Sequence, residues 1–241
     1  MMIQFYCPDI ETDPVLPESD SRHCVKVLRM SQGDELEVVD GHGHRFVCRL
    51  LDAHPRRALV EIVSRDDIPK VWPGSITVAV APTKHLDRME WLVEKLTEIG
   101  VDSIVPLLCD RSERREIKRE RLEKIAVSAM KQSLKAVLPV VAPMTPFRRA
   151  LADAAGRGDN LYFAYCDREA ERHLLCREMR PGVPATVFIG PEGDFSPAEA
   201  QAALAAGCVP VTLGDNRLRT ETAALVACDT YQILSNFRNG V

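Results

Sequence analysis

The hydrophobic rhythm of the chain changes once, near residue 70. Before that point, apolar and polar residues alternate in short runs. Glu35-Leu-Glu-Val-Val-Asp40 alternates and runs into Asp40-Gly41, a strong hairpin signal. Residues 44–50 resume the alternation, and 58–63 form another short run. Closely spaced runs of period two predict a small β-barrel. His23-Cys-Val-Lys-Val-Leu28 fits either a helical turn or a strand. Ile68-Pro-Lys-Val-Trp-Pro-Gly74 interrupts any regular element and reads as a linker.

Beyond the linker, apolar runs at 76–81, 104–107, 161–165, 186–189 and 209–213 alternate with helical patterns. Leu86, Met89, Val93 and Leu96 share one helical face, with Gly100 as a stop signal. Leu122, Ile125, Ala129 and Ser133 suggest another helix. Strands alternating with helices predict a parallel sheet covered on both faces. The expected fold is therefore α/β, with a small β-domain over 1–70 and a larger domain over 75–241.

Composition bounds the chemistry. The chain has 241 residues, 46% hydrophobic and 27% charged, as globular proteins do. No apolar run approaches a membrane span, and the N-terminus has no basic region followed by an apolar core, so a soluble cytoplasmic protein is expected. Cys7, Cys24, Cys48, Cys109, Cys166, Cys176, Cys208 and Cys228 form no CxxC pair and mostly sit in apolar runs. They read as reduced, buried thiols, and no metal is expected. With a net charge of −4, any nucleic acid would have to be held by a confined basic surface. The segment from Arg111 through Arg114, Arg115, Lys118 and Arg119 to Arg121 is one candidate. A solvated helix face carrying i,i+4 charge pairs accounts for it as well.

Two segments of the last third carry the chemistry. In Thr186-Val-Phe-Ile-Gly190-Pro-Glu-Gly193-Asp-Phe-Ser196-Pro-Ala-Glu199, an apolar strand enters a loop with two glycines. A helix follows, with Ser196 as N-cap, Pro197 in the first position and Glu199 completing a capping box. In Val211-Thr-Leu-Gly214-Asp-Asn-Arg217-Leu-Arg219-Thr-Glu221-Thr-Ala-Ala-Leu225, a strand again ends at glycine and a helix begins near 220–222. Each alone could be a tight turn. Two such loops at neighbouring strand ends favour a ligand cleft at the carboxyl edge of the sheet. No Walker A sequence, dinucleotide fingerprint, GxSxG elbow or HExxH pattern is present, which excludes ATP hydrolysis, acyl transfer and metal hydrolysis by the usual motifs.

Phe188-Ile-Gly-Pro-Glu-Gly-Asp-Phe-Ser196 together with Leu213-Gly-Asp-Asn-Arg-Leu-Arg-Thr-Glu-Thr-Ala223 resembles the paired signature of the RsmE family. These are SPOUT-superfamily methyltransferases that act on N3 of a uridine in small-subunit (16S) ribosomal RNA. His23 to Arg29, Gly33-Asp34 and Asp40-Gly41 are similar to that family's PUA-like domain. Lys84, Arg88, Glu90, Lys95, the run 97–101, Gln132-Ser133 and Pro139 are similar to its central block. Three positions depart from the family. Asp194 stands where glycine is common, Asn216-Arg-Leu-Arg219 replaces an Arg-Ile-Leu-Arg run, and Lys135 stands where arginine is frequent.

The resemblance implies a trefoil knot in the C-terminal domain, a PUA-like barrel before it, a homodimer and S-adenosyl-L-methionine as cofactor. It places the cofactor against Ile189, Gly190, Pro191, Glu192, Gly193, Leu213, Gly214, Asn216, Leu218, Thr222 and Ala223. Arg219 would steady the uracil or a phosphate. Glu192 and Glu221 are the carboxylates available as base, and Glu221 could instead cap its helix or hold Arg219. Arg22, Lys26, Arg29, Lys84, Arg88 and Lys135 are expected to meet RNA. A non-catalytic ribosome-assembly factor and a SPOUT enzyme acting on transfer RNA are the competing readings.

Overall fold

The computed structural model describes residues 3–165, 173–180 and 182–238, so Cys166 lies outside the described residues. The chain divides into two units: Met1–Val71 with Val127–Leu138, and Trp72–Ala126 with Pro139–Val241.

The first unit holds β1 (Gln4–Tyr6), α1 (Glu18–Arg22), a π-helical turn (His23–Val27), β2 (Glu35–Val39), β3 (His44–Asp52) and β4 (Leu59–Asp67). The strands pair in the order β1-β2-β3-β4, with β1 parallel to β2 and the other pairs antiparallel. The Asp-Gly hairpin is where the alternation placed it. Asp40 Oδ1 accepts the N–H groups of His42 (2.7 Å) and His44 (3.2 Å). Burial raises the Asp40 carboxyl, but these bonds and the His44 ring outweigh it and hold the group below its ordinary value. In place of the expected barrel stands a four-stranded sheet whose β4 edge is covered by residues 14–16. Val15 pairs with Leu59 at the far edge, and Leu16 N–H reaches Ala58 O at 2.9 Å. Phe5, Ile10, Leu16, Val38, Phe46, Leu50 and Val60 fill the interior.

Residues 127–138 also belong here, which a single division at 70–75 leaves out. Leu138 N–H bonds Gly41 O, and Gly43 N–H bonds Ala136 O, both at 2.9 Å. Met130 and Ala136 bury against Val39. Lys131 Nζ meets the buried Asp20 Oδ1 at 2.6 Å. Helical periodicity shows which face is apolar, never which neighbour covers it.

The second unit contains β5 (Ile76–Val80), α2 (Leu86–Ile99), β6 (Ser103–Leu108), the start of α3 (Arg119–Gln132), β7 (Val140–Val141), β8 (Thr145–Pro146) and α4 (Phe147–Arg157). It continues with β9 (Asn160–Ala164), β10 (His173–Leu174), α5 (Leu175–Glu178), β11 (Ala185–Ile189), α6 (Pro197–Ala205), β12 (Val209–Thr212) and α7 (Thr220–Arg238). The sheet runs β10-β12-β9-β11-β5-β6-β7, with β8 also on β6, and every pairing is parallel. All residues of β5 and β11 are buried, as a sheet covered on both faces requires. Gly100 ends α2 in the left-handed region (φ 116°), and a Cβ there would lie 2.7 Å from the Trp72 ring.

Six of the seven described cysteines are buried, while Cys176 is exposed. Burial pushes the Cys48 and Cys208 thiols up to about 12. Among the described residues no helix is long and apolar enough to cross a membrane.

Candidate active site

Parallel strands deliver their following loops to one edge of the sheet. Those after β5, β6, β11 and β12 are residues 81–85, 109–118, 190–196 and 213–219. The strands β11 and β12 flank β9 rather than adjoining each other, so the two signature loops are one strand further apart than expected.

Loop 190–196 is held from three sides. Ala81 N–H donates to Ile189 O at 3.0 Å where the strand ends. Lys84 N–H reaches Glu192 Oε1 at 3.3 Å. Arg111 Nη1 donates to Gly193 O at 2.9 Å and Phe195 O at 3.2 Å. Phe195 is buried against Phe147 and Phe163, with ring centroids 5.1 and 6.1 Å away. A Cβ on Gly190 would come 3.2 Å from the Phe195 ring, so glycine lets that ring close over the backbone. Asp194 adopts φ 60°, and its Oδ1 accepts the Phe195 N–H at 2.8 Å. The turn needs a left-handed residue. Glycine meets that need freely, and aspartate is one of the few side chains that tolerate it. The capping box closes the loop, with Ser196 Oγ accepting Glu199 N–H and Glu199 Oε2 accepting Ser196 N–H.

Only the end of the basic segment is the solvated helix face considered above, where Arg119 pairs with Glu123. Residues 109–118 are irregular, and the helix starts only at Arg119. Arg111 clasps the glycine loop, while Arg114 donates to Thr83 O (3.2 Å) and Lys84 O (2.6 Å). Carbonyls left unpaired where loops leave the sheet draw the guanidinium forks. Arg111 is the site residue that sequence reasoning missed. Its signal was its place just past an apolar strand, on the same sheet edge as the glycine loop.

Loop 213–219 is barely held. Thr212 Oγ1 donates to Gly214 O at 3.0 Å. Gly214 has φ 122° with open space where a Cβ would sit, so its backbone alone demands glycine. Asp215, Asn216, Arg217 and Arg219 are exposed, and the two arginine side chains have no hydrogen-bond or ion-pair partner among the described residues. Leu213 and Leu218 are half-buried, as are Thr222 and Ala223 in the first turn of α7.

The two loops meet at Thr220, whose buried hydroxyl donates to Gly190 O at 3.4 Å. Beside it lies Glu221, only 7% exposed. Its Oε1 is 3.5 Å from Arg88 Nη1 on α2, so its ionic partner is Arg88 and not Arg219. Its Oε2 is buried with no hydrogen-bond partner among the described residues. Of the expected RNA contacts, Lys84 is exposed, with Nζ 3.4 Å from Glu113 Oε2. In the first unit, Arg22, Lys26 and Arg29 point their side chains to solvent, and Lys135 is half-buried with its carbonyl bonded to Gln4. Pro191, in loop 190–196, is buried. A cavity of about 320 Å³ lined by Asp159, Tyr162, Glu178 and Arg180 lies at the opposite end of the strands, beside the starts of β9 and β12. It is not part of this site.

Residues 70–232 match the model of the RNA methyltransferase domain, and residues 16–63 match that of the RNA methyltransferase PUA domain. The chain is 31% identical to the ribosomal RNA small subunit methyltransferase E of Synechocystis, over 90% of this chain and 72% of that one. The chain belongs to the ribosomal RNA small subunit methyltransferase E family. The Aquifex aeolicus member is 30% identical over 92% of this chain and 94% of its own. Among solved structures, a probable rRNA-methyltransferase from Porphyromonas gingivalis superposes with a TM-score of 0.93 at 44% identity, covering 98% of this chain and 100% of that one. The Neisseria gonorrhoeae family member, solved bound to S-adenosyl methionine, gives a TM-score of 0.82 at 32% identity, covering 97% and 98%. The fold class expected from the resemblance is thus the one found: a parallel α/β domain preceded by a PUA domain.

Proposed function

We propose that this protein transfers the methyl group of S-adenosyl-L-methionine to N3 of a uridine in 16S ribosomal RNA of the small subunit. On this reading it works in the cytoplasm as a homodimer whose C-terminal domain carries the family's knot, and its two functional parts are 1–70 and 75–241. The observation that carries the reading is the junction of the two glycine-bearing loops at Thr220 and Gly190, followed directly in the chain by Glu221 with its buried, unsatisfied carboxylate oxygen.

The residues present fit the cofactor. Backbone of 189–193 and 213–218, with Thr222 and Ala223, flanks the junction, and Gly214 presents backbone with open space where a side chain would stand. When bound, S-adenosylmethionine supplies a methyl group already activated on sulfur. The protein then has to align uridine N3 with it and take the N3 proton. Arg219, exposed at the edge of the site, is suited to a uracil oxygen, where a cation stabilises the negative charge that builds as N3 loses its proton. Glu192 is exposed and already accepts the Lys84 amide, whereas Glu221 keeps an open oxygen, which favours Glu221 as the carboxylate. Arg22, Lys26, Arg29, Lys84 and Lys135 are suited to phosphates.

Incubating the purified protein and S-adenosylmethionine with unmodified small ribosomal subunits, then mapping the RNA by mass spectrometry, tests the proposal. One 3-methyluridine is expected. A methyl group on another atom or another RNA class, or none, would overturn it.

A further inference from the structure

We infer that Arg88 is a positioning residue for Glu221, and that its partnership leaves Glu221 Oε2 as the acceptor for the N3–H of the target uracil. The inference rests on the methyltransferase reading above and deepens it. It assigns Arg88 to the carboxylate rather than to RNA phosphate.

The geometry has three parts. Glu221 lies in the first turn of α7, where the helix dipole favours a negative charge, yet neither of its oxygens caps the helix. Arg88 lies in the first turn of α2 and reaches Oε1 with one nitrogen at 3.5 Å, with about a third of its side chain exposed. Oε2 is enclosed and bare. An enclosed carboxylate oxygen without a donor is costly, because it has left water and gained nothing in return. Such a cost is sustained where a ligand supplies the missing donor. The loop junction at Thr220 and Gly190, one residue away along the chain, is where the reacting groups meet on this reading.

The chemistry of the missing partner follows. A carboxylate repels phosphate, so the backbone of RNA is excluded from Oε2. It accepts from N–H and O–H groups, and the imide N3–H of uracil is both a donor and an acid. On reaction the N3–H bond breaks with the proton passing to Oε2. The freed pair on N3 bonds to the methyl carbon, and the C–S pair returns to sulfur, leaving a neutral thioether. Arg88 takes no proton. Its single contact fixes which oxygen faces the reaction, and its charge offsets that of the buried carboxylate.

The test is a double-variant cycle read by single-turnover methylation, with RNA affinity followed against salt. Arg88→Met should lower the turnover rate about tenfold to a hundredfold while cofactor affinity and RNA affinity stay within about twofold. Arg88→Lys should recover part of that loss. Arg88→Met combined with Glu221→Gln should be no slower than Glu221→Gln alone, because one residue acts through the other. If instead the losses multiply and the log–log salt slope of RNA binding falls by about 0.7–0.9, Arg88 is a phosphate ligand and the inference fails. Unchanged turnover in Arg88→Met with impaired Glu221→Gln also overturns it, leaving the reading of Glu221 intact. Wild-type turnover in Glu221→Gln removes that reading itself. Should Arg88→Met fail to fold, the same cycle run with Arg88→Lys decides.

Discussion

The two loops that form the site are built in opposite ways. Loop 190–196 is fastened by Lys84, Arg111 and Thr220, closed by a capping box and anchored through Phe195 in an aromatic cluster. Loop 213–219 has only two side-chain bonds, both between the Thr212 hydroxyl and the Gly214 backbone, and turns to solvent two arginines that have no partner among the described residues. The difference suits different tasks. A pocket for a small cofactor gains from a shape fixed before binding, because little ordering is left to oppose association. On the proposed reading the second loop lends its backbone to the same cofactor, while its arginines, which would meet a large RNA, gain from staying free to choose their partners.

The sharpest way to break this contrast is to remove the anchor. Phe195→Ala should cost about 3–5 kcal/mol of stability, since it empties a packed aromatic site. Urea unfolding measures it, and a loss under 1 kcal/mol would mean that the loop is not anchored as described. Arg219→Ala should act on the other loop alone. Methylation should fall about 100-fold while calorimetry shows unchanged S-adenosylmethionine binding. A matching loss of cofactor affinity would show that Arg219 holds the cofactor rather than the uridine. Arg111→Ala should weaken cofactor binding about five- to tenfold with turnover at saturating cofactor largely kept, because it loosens the fastened loop without touching the reacting atoms. Equal affinity in the variant and the wild type would show that the clasp is dispensable. The smallest effect is expected from Asp194→Gly. Stability should change by less than about 1 kcal/mol, as glycine removes the left-handed strain but also the side-chain bond to Phe195 N–H. Thermal denaturation would detect a larger change of either sign.

Much of the fold was legible because burial has a period. Strands β2, β3, β5, β6, β9, β11 and β12 and helices α2, α6 and α7 lie where alternation, continuous apolar runs and caps put them, within a residue or two. Strands β1, β7, β8 and β10 span only two or three residues, too few to show any period. By pattern alone His23–Val27 fits a helix or a strand; it is a π-helical turn. The glycine loop and its capping box were readable in full, because Ser196, Pro197 and Glu199 act within four residues of one another.

What stayed hidden shares one property: the partner lies far along the chain. Arg111 and Gly193 are 82 residues apart, and Arg88 and Glu221 are separated by most of the second unit. Lys131 and Asp20 are 111 apart, so nothing local marks residues 127–138 as part of the first unit. By itself, the sequence determined the class of fold, the two glycine-bearing loops and the family. Only the tertiary structure decided that Arg111 fastens one loop, that Arg88 faces Glu221, and that one oxygen of that carboxylate is left bare. Local propensity and periodicity act over a few residues. A charge pair or a desolvated oxygen exists only once distant segments have been brought together.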